Sequence, residues 1–270
     1  MFRIIFGLVM LALALSATTT SAGIIDCTFD NQTCKYSWDF ESGNMPPNNG
    51  FDNRHLQKRQ FQIFSGGAFD GDRFGRITVG SGDNAMVGRD NSSTERAEIM
   101  SDRFKNLSGV IHFGIAIRFG PGFNPHDERT LILQIKSEFE RGTKNSPQFA
   151  IYNQASADHW KVCNNFRKLD ECDYQNGNIF RANTWHRIVI SQNASKGPDG
   201  WLKFYVDGKL IYSHSGATKY NAREAWTTFR TGIYRNNVPA SQSVDVDNYI
   251  ISRDLNAVAN FLKLDPAKLQ

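Results

Sequence analysis

Between residues 110 and 119 apolar and polar positions alternate: Ile111, Phe113, Ile115, Ile117 and Phe119 are apolar, with His112, Gly114, Ala116 and Arg118 between them. A period of two is that of an extended strand, whose successive side chains leave on opposite faces. This stretch is therefore predicted to be a strand with one packed face and one face turned to water or ligand. Residues 131–136, 149–153, 185–191, 201–206, 229–235 and 244–252 behave in the same way. Residues 206–212 read as a hairpin, because Asp207-Gly208 supplies the left-handed backbone that a tight two-residue turn requires. Helical spacing occurs only in the tail, where Leu255, Val258, Phe261 and Leu262 mark residues 255–262 as a short helix packed on the outside. Gly, Pro, Asn and Asp clusters separate the segments, and no linker, repeat or low-complexity tract follows residue 23. The pattern predicts one all-β domain over residues 23–270, two antiparallel sheets stacked as a β-jelly roll or a related, concanavalin-like two-sheet sandwich, with a short C-terminal helix.

The first 22 residues do not belong to that pattern. Arg3, an apolar run over residues 4–15 and small residues over 16–22 form a signal peptide, cleaved after Ala22 with Thr20 at the −3 position, or alternatively after Ala17. The run is too short to span a bilayer, and no later segment approaches the roughly 20 apolar residues that a membrane helix needs. The expectation is a secreted, extracellular protein, monomeric and without a membrane partner. Four cysteines, Cys27, Cys34, Cys163 and Cys172, then stand in an oxidising compartment, and of the three pairings the local ones, Cys27–Cys34 and Cys163–Cys172, close the shortest loops. Zinc would require CxxC pairs or histidines at ligand spacing, and neither is present. Sequons at Asn31, Asn91, Asn106 and Asn193 offer glycosylation sites. No cofactor is called for; Asp70, Asp72, Asp245 and Asp247 permit a structural Ca²⁺ without requiring one.

Thirty-one Lys and Arg against 27 Asp and Glu give a formal charge of +4, spread along the chain rather than gathered in runs. That distribution argues against a nucleic-acid partner and leaves room for an acidic one. No nucleophile elbow, phosphate-binding loop, HExxH helix or dinucleotide fingerprint occurs, which removes the common hydrolase, kinase, zinc-protease and dehydrogenase readings. What remains is polar chemistry on strand faces. Arg96 and Glu98 share a face, and the carboxylate can hold and aim the guanidinium. Gln134 and Lys136 share a face while Leu131, Leu133 and Ile135 point into the core. Arg230 and Tyr234 share a face with Gly232 between them, where the missing side chain leaves room for something to lie against the sheet.

These three segments resemble those of the β-jelly-roll polysaccharide lyases, the group of alginate lyases, glucuronan lyases and heparin lyase I. Arg96-Ala97-Glu98-Ile99 is similar to that group's Arg-x-Glu-Leu strand, Gln134-Ile135-Lys136 to its Gln-x-His strand, and Arg230-Thr231-Gly232-Ile233-Tyr234 to its Lys-x-Gly-x-Tyr strand. Residues 197–216 also look like the hairpin preceding the Tyr strand. Two positions depart from the pattern: Lys136 stands where the group has His, and Arg230 where it has Lys. The resemblance implies a secreted lyase that cleaves a uronic-acid polysaccharide of glucuronan, alginate or glycosaminoglycan type by β-elimination. It assigns Arg96 and Gln134 to neutralising the substrate carboxylate, Tyr234 to moving the C5 proton or protonating the leaving O4, and Lys136 to added charge or a share of the base role. Glu98, Arg230, His112, Tyr152 and Trp160 would complete substrate binding, His112 as a reserve base and Tyr152, Trp160 and Trp226 as ring platforms. The alternative is a carbohydrate-binding or adhesion module on the same sandwich, since Asp26 to Trp38 is similar to the start of extracellular adhesion domains. A retaining glycosidase would need a Glu-x-Asp-x-x-Glu strand, which the chain lacks.

Overall fold

A computed structural model of the chain describes residues 25–26, 35–44, 56–83, 94–101, 103–104, 107–120, 123, 129–139, 147–153, 159–164, 172–176, 179–219 and 224–270. The expected leader, Cys27, Cys34 and the sequons at Asn31, Asn91 and Asn106 lie outside these residues. The strands run in order β1 (Ile25–Asp26), β2 (Lys35–Trp38), β3 (Phe61–Ser65), β4 (Arg73–Val79), β5 (Thr94–Met100), β6 (Gly109–Phe119), β7 (Thr130–Phe139), β8 (Phe149–Asn153), β9 (His159–Asn164), β10 (Cys172–Asn176), β11 (Trp185–Ala194), β12 (Trp201–Val206), β13 (Lys209–Ser215), β14 (Glu224–Asn236) and β15 (Gln242–Ser252). A single α-helix is described, α1 (Leu255–Phe261). All ladders are antiparallel. One sheet has the order β1-β2-β15-β6-β11-β12-β13, with β4 also on β15 and β3 on β4; the other has the order β10-β9-β8-β7-β14-β5.

Alternation explains how the two sheets join. Ile111, Phe113, Ile115, Ile117 and Phe119 of β6 enter the core between the sheets, where they meet Leu133, Ile135, Phe149, Ile151, Phe229 and Ile233 of the second sheet. Phe113 stacks on Phe229 with ring centres 5.6 Å apart. The Asp207-Gly208 turn forms as the sequence predicts, with φ of 51° and 80°.

The reverse face of β6 differs from expectation, because it meets protein rather than water. At Gly114 and Ala116 it is roofed by α1: a Cβ on Gly114 would stand 2.8 Å from Val258 Cγ1 and Leu262 Cδ1, and Ala116, Val189, Ile250, Val258 and Leu262 form a second core. Burying Val258 and Leu262 stabilises the arrangement by about 1.5–3 kcal/mol per side chain. Asp254 caps the helix, its Oδ1 accepting from the Asn256 amide at 2.9 Å.

Three of the four acidic residues considered for calcium, Asp70, Asp245 and Asp247, have protein partners for their carboxylates. Asp245 is held by Arg76 at 2.6 Å and by Arg118 at 2.8 Å. Asp247 accepts from the backbone amides of Phe69, Asp70 and Asn248, and burial pushes its carboxyl up to about 7. Asp70 pairs with Lys263 at 2.6 Å, and the Asp72 amide donates to Glu41. Among the described residues no group of three or more His, Cys, Asp or Glu gathers where a metal ion would sit.

Candidate active site

The six-stranded sheet carries the candidate residues on the face turned away from the core. Directly opposed residues of an antiparallel ladder share a face, so the register can be read as rows crossing the strands. One row is Tyr152 on β8, Leu131 on β7, Tyr234 on β14 and Arg96 on β5. A second is Ala150, Gln134, Arg230 and Met100 on the same strands. Gly232 opposite Glu98 lies between the two rows, and Lys136 opposite Thr228 lies beyond the second. Segments far apart in the chain thus bring Arg96, Glu98, Gln134, Lys136, Arg230, Tyr234 and Tyr152 onto one surface.

Register shifts produce this alignment. Between the two rows the chain spends two residues on β8, three on β7 and four on β14. Such mismatch bends and twists a sheet. It also reverses one expectation: Leu133 and Ile135 enter the core, but Ile132 joins them there, while Leu131 stands in the row with Tyr234. A strict period of two does not survive a bulge.

Glu98 organises the centre. Its side chain has no exposed surface, and its Oε2 lies 3.1 Å from Arg96 Nε. Its Oε1 accepts from Gln134 Nε2 at 2.6 Å. One buried carboxylate therefore ion-pairs with the guanidinium and takes a charge-assisted hydrogen bond from the amide, which places both donors before a substrate arrives. The Arg96 guanidinium lies over Tyr234, 3.8 Å from its ring centre. Arg230 is buried, its Nε donating to Thr228 Oγ1 at 2.9 Å. Gly232 has a reason different from the one its sequence context suggests. It adopts φ of +145°, and a Cβ there would stand 2.2 Å from Ala97 O and 2.8 Å from Glu98 Cα. The residue permits close approach of β14 to β5, and with it the Arg96–Tyr234 contact. Gly232→Ala should lower stability by about 2–4 kcal/mol, read as a fall in the midpoint of thermal unfolding; an unchanged midpoint would contradict this.

Two expectations are corrected or left open. His112 is not in the site: it lies on β6 in the other sheet, its Nδ1 2.8 Å from Ser191 Oγ, and burial pushes its pKa down to about 4. It is a neutral packing residue, because the face that looked solvent-facing is enclosed. Trp160 lies in β9 of the correct sheet, opposite Asn153 and Gln175, but its side chain falls outside the described residues. Cys163 is disulfide-bonded, and Cys172 is its direct partner in the β9–β10 register. The amide nitrogen of Asn193, where a glycan would attach, donates to Asp199 O at 2.8 Å.

Sequence reasoning missed Arg129. It stands just ahead of β7, exposed, with its guanidinium carbon 5.2 Å from the ring centre of Tyr234 and 5.3 Å from that of Tyr152. Its offset of five from Gln134 would place it on the opposite face of a regular strand; the register shift brings it to this one. Farther along β14, Trp226 carries Arg103 over its ring at 4.3 Å.

Chemically, the surface offers guanidinium, amide and ammonium donors around one phenol. It suits a substrate whose negative charge must be neutralised before a proton can move. Among solved structures, the fold is similar to the endo-β-1,4-glucuronan lyase of the fungus Trichoderma reesei, at 17% identity and a TM-score of 0.55, covering 77% of this chain and 96% of that one. An alginate lyase in complex with an alginate trisaccharide aligns at 10% identity and a TM-score of 0.54, covering 81% of this chain and 97% of that one. A cellulose-induced protein aligns at 10% identity and a TM-score of 0.53, with the same coverage. At such identities the likeness is one of fold. No curated protein matches the sequence. The model of one family, described as polysaccharide lyase, matches residues 40–250, from ahead of β3 into β15 and through every strand of the curved sheet; the chain belongs to the polysaccharide lyases.

Proposed function

We propose that the protein is exported by its leader and cleaves a uronic-acid-containing polysaccharide by β-elimination, with Tyr234 as the group that moves the proton. The observation that carries this reading is the position of Tyr234 directly opposite Arg96 in the ladder, with the Arg96 guanidinium over its ring and Glu98 holding both Arg96 and Gln134.

The C5 proton of a uronate lies next to a carboxylate, and removing it adds negative charge beside an existing one. Donors fixed before the substrate arrives lower that barrier, because they stabilise the enolate-like charge without being reoriented. Arg96 offers a planar fork and Gln134 its remaining amide hydrogen, with Lys136 adding positive charge on the same strand. Tyr234 takes the C5 proton as phenolate, the C5–H electron pair becomes the C4–C5 double bond, and the bond from C4 to O4 breaks. The leaving O4 then takes a proton from the same phenol. No water enters the products. Glucuronan, alginate and glycosaminoglycans all contain the required uronate.

The test is an absorbance screen of the purified protein on glucuronan, alginate and heparan sulfate, following the ultraviolet band of the conjugated unsaturated uronate. A steady rise on at least one polymer is expected. Flat traces on all three, with sugars released or bound, would contradict the reading.

A further inference from the structure

Two cations lie against the row where the elimination needs one. Arg96 occupies one end, with part of its charge balanced by buried Glu98 at 3.1 Å. Toward the other end, Arg129 approaches both Tyr234 and Tyr152. Among the described residues it pairs with no carboxylate. Contact with aromatic faces orients a guanidinium but leaves its charge in place. Tyr234 therefore has a guanidinium near it from two neighbouring positions, one held by an acid and the other, among the described residues, by rings.

We propose that Arg129 binds the carboxylate of the sugar next to the one being cleaved, and so selects polymers in which consecutive sugars are uronic acids. The proposal rests on the reading of Arg96 and Tyr234 as the reacting centre. A uronate seated over Tyr234 gives its carboxylate to Arg96 and Gln134. The chain continues along the row toward Tyr152, whose ring supplies a platform for the next sugar. Arg129 is adjacent to that platform, with a planar fork matched to a carboxylate. A neutral sugar there would leave the guanidinium without a partner, whereas a second uronate satisfies it. Discrimination then comes from a charge left unpaired as much as from one made.

The experiment compares oligosaccharides of glucuronan and alginate, in which every sugar is a uronate, with length-matched hyaluronan, in which uronate alternates with a neutral amino sugar. Calorimetric affinity and turnover are measured for the wild type, Arg129→Ala and Arg129→Lys. Arg129 is exposed, and the variants should unfold at the wild-type temperature. The wild type is expected to bind one of the uronate homopolymers about tenfold more tightly than hyaluronan. Arg129→Ala should lose that tenfold on the homopolymer and nothing on hyaluronan, with KM raised and kcat held within about threefold; Arg129→Lys should keep part of the preference. Equal losses on both classes, no loss on either, a fall in kcat at constant KM, or a wild type that binds neither homopolymer would overturn the proposal. If no polymer is eliminated by the wild type, the proposed function fails, while the affinities still decide the role of Arg129.

Discussion

Tyr234→Phe is expected to lower kcat by about 10²- to 10⁴-fold, the usual contribution of a positioned acid or base, while the affinity for oligosaccharide changes little. The substitution removes one oxygen. The ring remains opposite Arg96 and beneath its guanidinium, so the stacking that orders the row is retained and the phenol as a proton carrier is lost. If Tyr234 acted only as a sugar platform, the Phe variant would keep its turnover. Steady-state kinetics with calorimetry separate the two: a fall in kcat at constant affinity is predicted, and substantial residual activity would remove Tyr234 from its role.

Glu95→Ala should cost about 3–5 kcal/mol of stability, the penalty for leaving one member of a buried ion pair alone. Glu95 and Arg235 face each other at the ends of β5 and β14, with side chains 0% and 1% exposed and a contact of 2.7 Å. Glu95 also accepts the Gly82 amide at 2.7 Å. Arg235 Nη1 already lacks a partner, and burial pulls the guanidinium pKa below its ordinary value. Without the carboxylate the charge has nowhere to go. The pair lies one residue from Arg96 and Tyr234, so it fixes the strand ends on which both stand. Thermal or denaturant unfolding would show the loss, and a variant within about 1 kcal/mol of wild type would contradict it.

The strands of the sandwich were legible because each core strand keeps strict alternation over most of its length, and the hairpin because Asp207-Gly208 has one natural backbone. The shared face of the candidate site was legible because Arg96, Glu98, Gln134, Lys136, Arg230 and Tyr234 occupy even offsets within their own strands. Legibility ended wherever a partner outside the segment decided the outcome. The reverse face of β6 could not be assigned to solvent or protein without knowing that Val258 and Leu262 return to cover it at Gly114 and Ala116, and His112 was misplaced because it too is buried, against Ser191 of β11. Leu131 was assigned to the core by counting in twos through a register shift that depends on β8 and β14, and the same shift hid Arg129. The role of Gly232 depends on a backbone oxygen on β5, and the Glu95–Arg235 pair joins residues 140 apart in the chain.

The most direct measurement is the mass of the products formed in heavy-oxygen water. Elimination breaks the C4–O4 bond without water, so the account predicts an unsaturated sugar at the new non-reducing end and no heavy oxygen incorporated by cleavage. Heavy oxygen at the newly formed end, with saturated products, would mean hydrolysis and would contradict the chemistry assigned to Arg96, Gln134 and Tyr234.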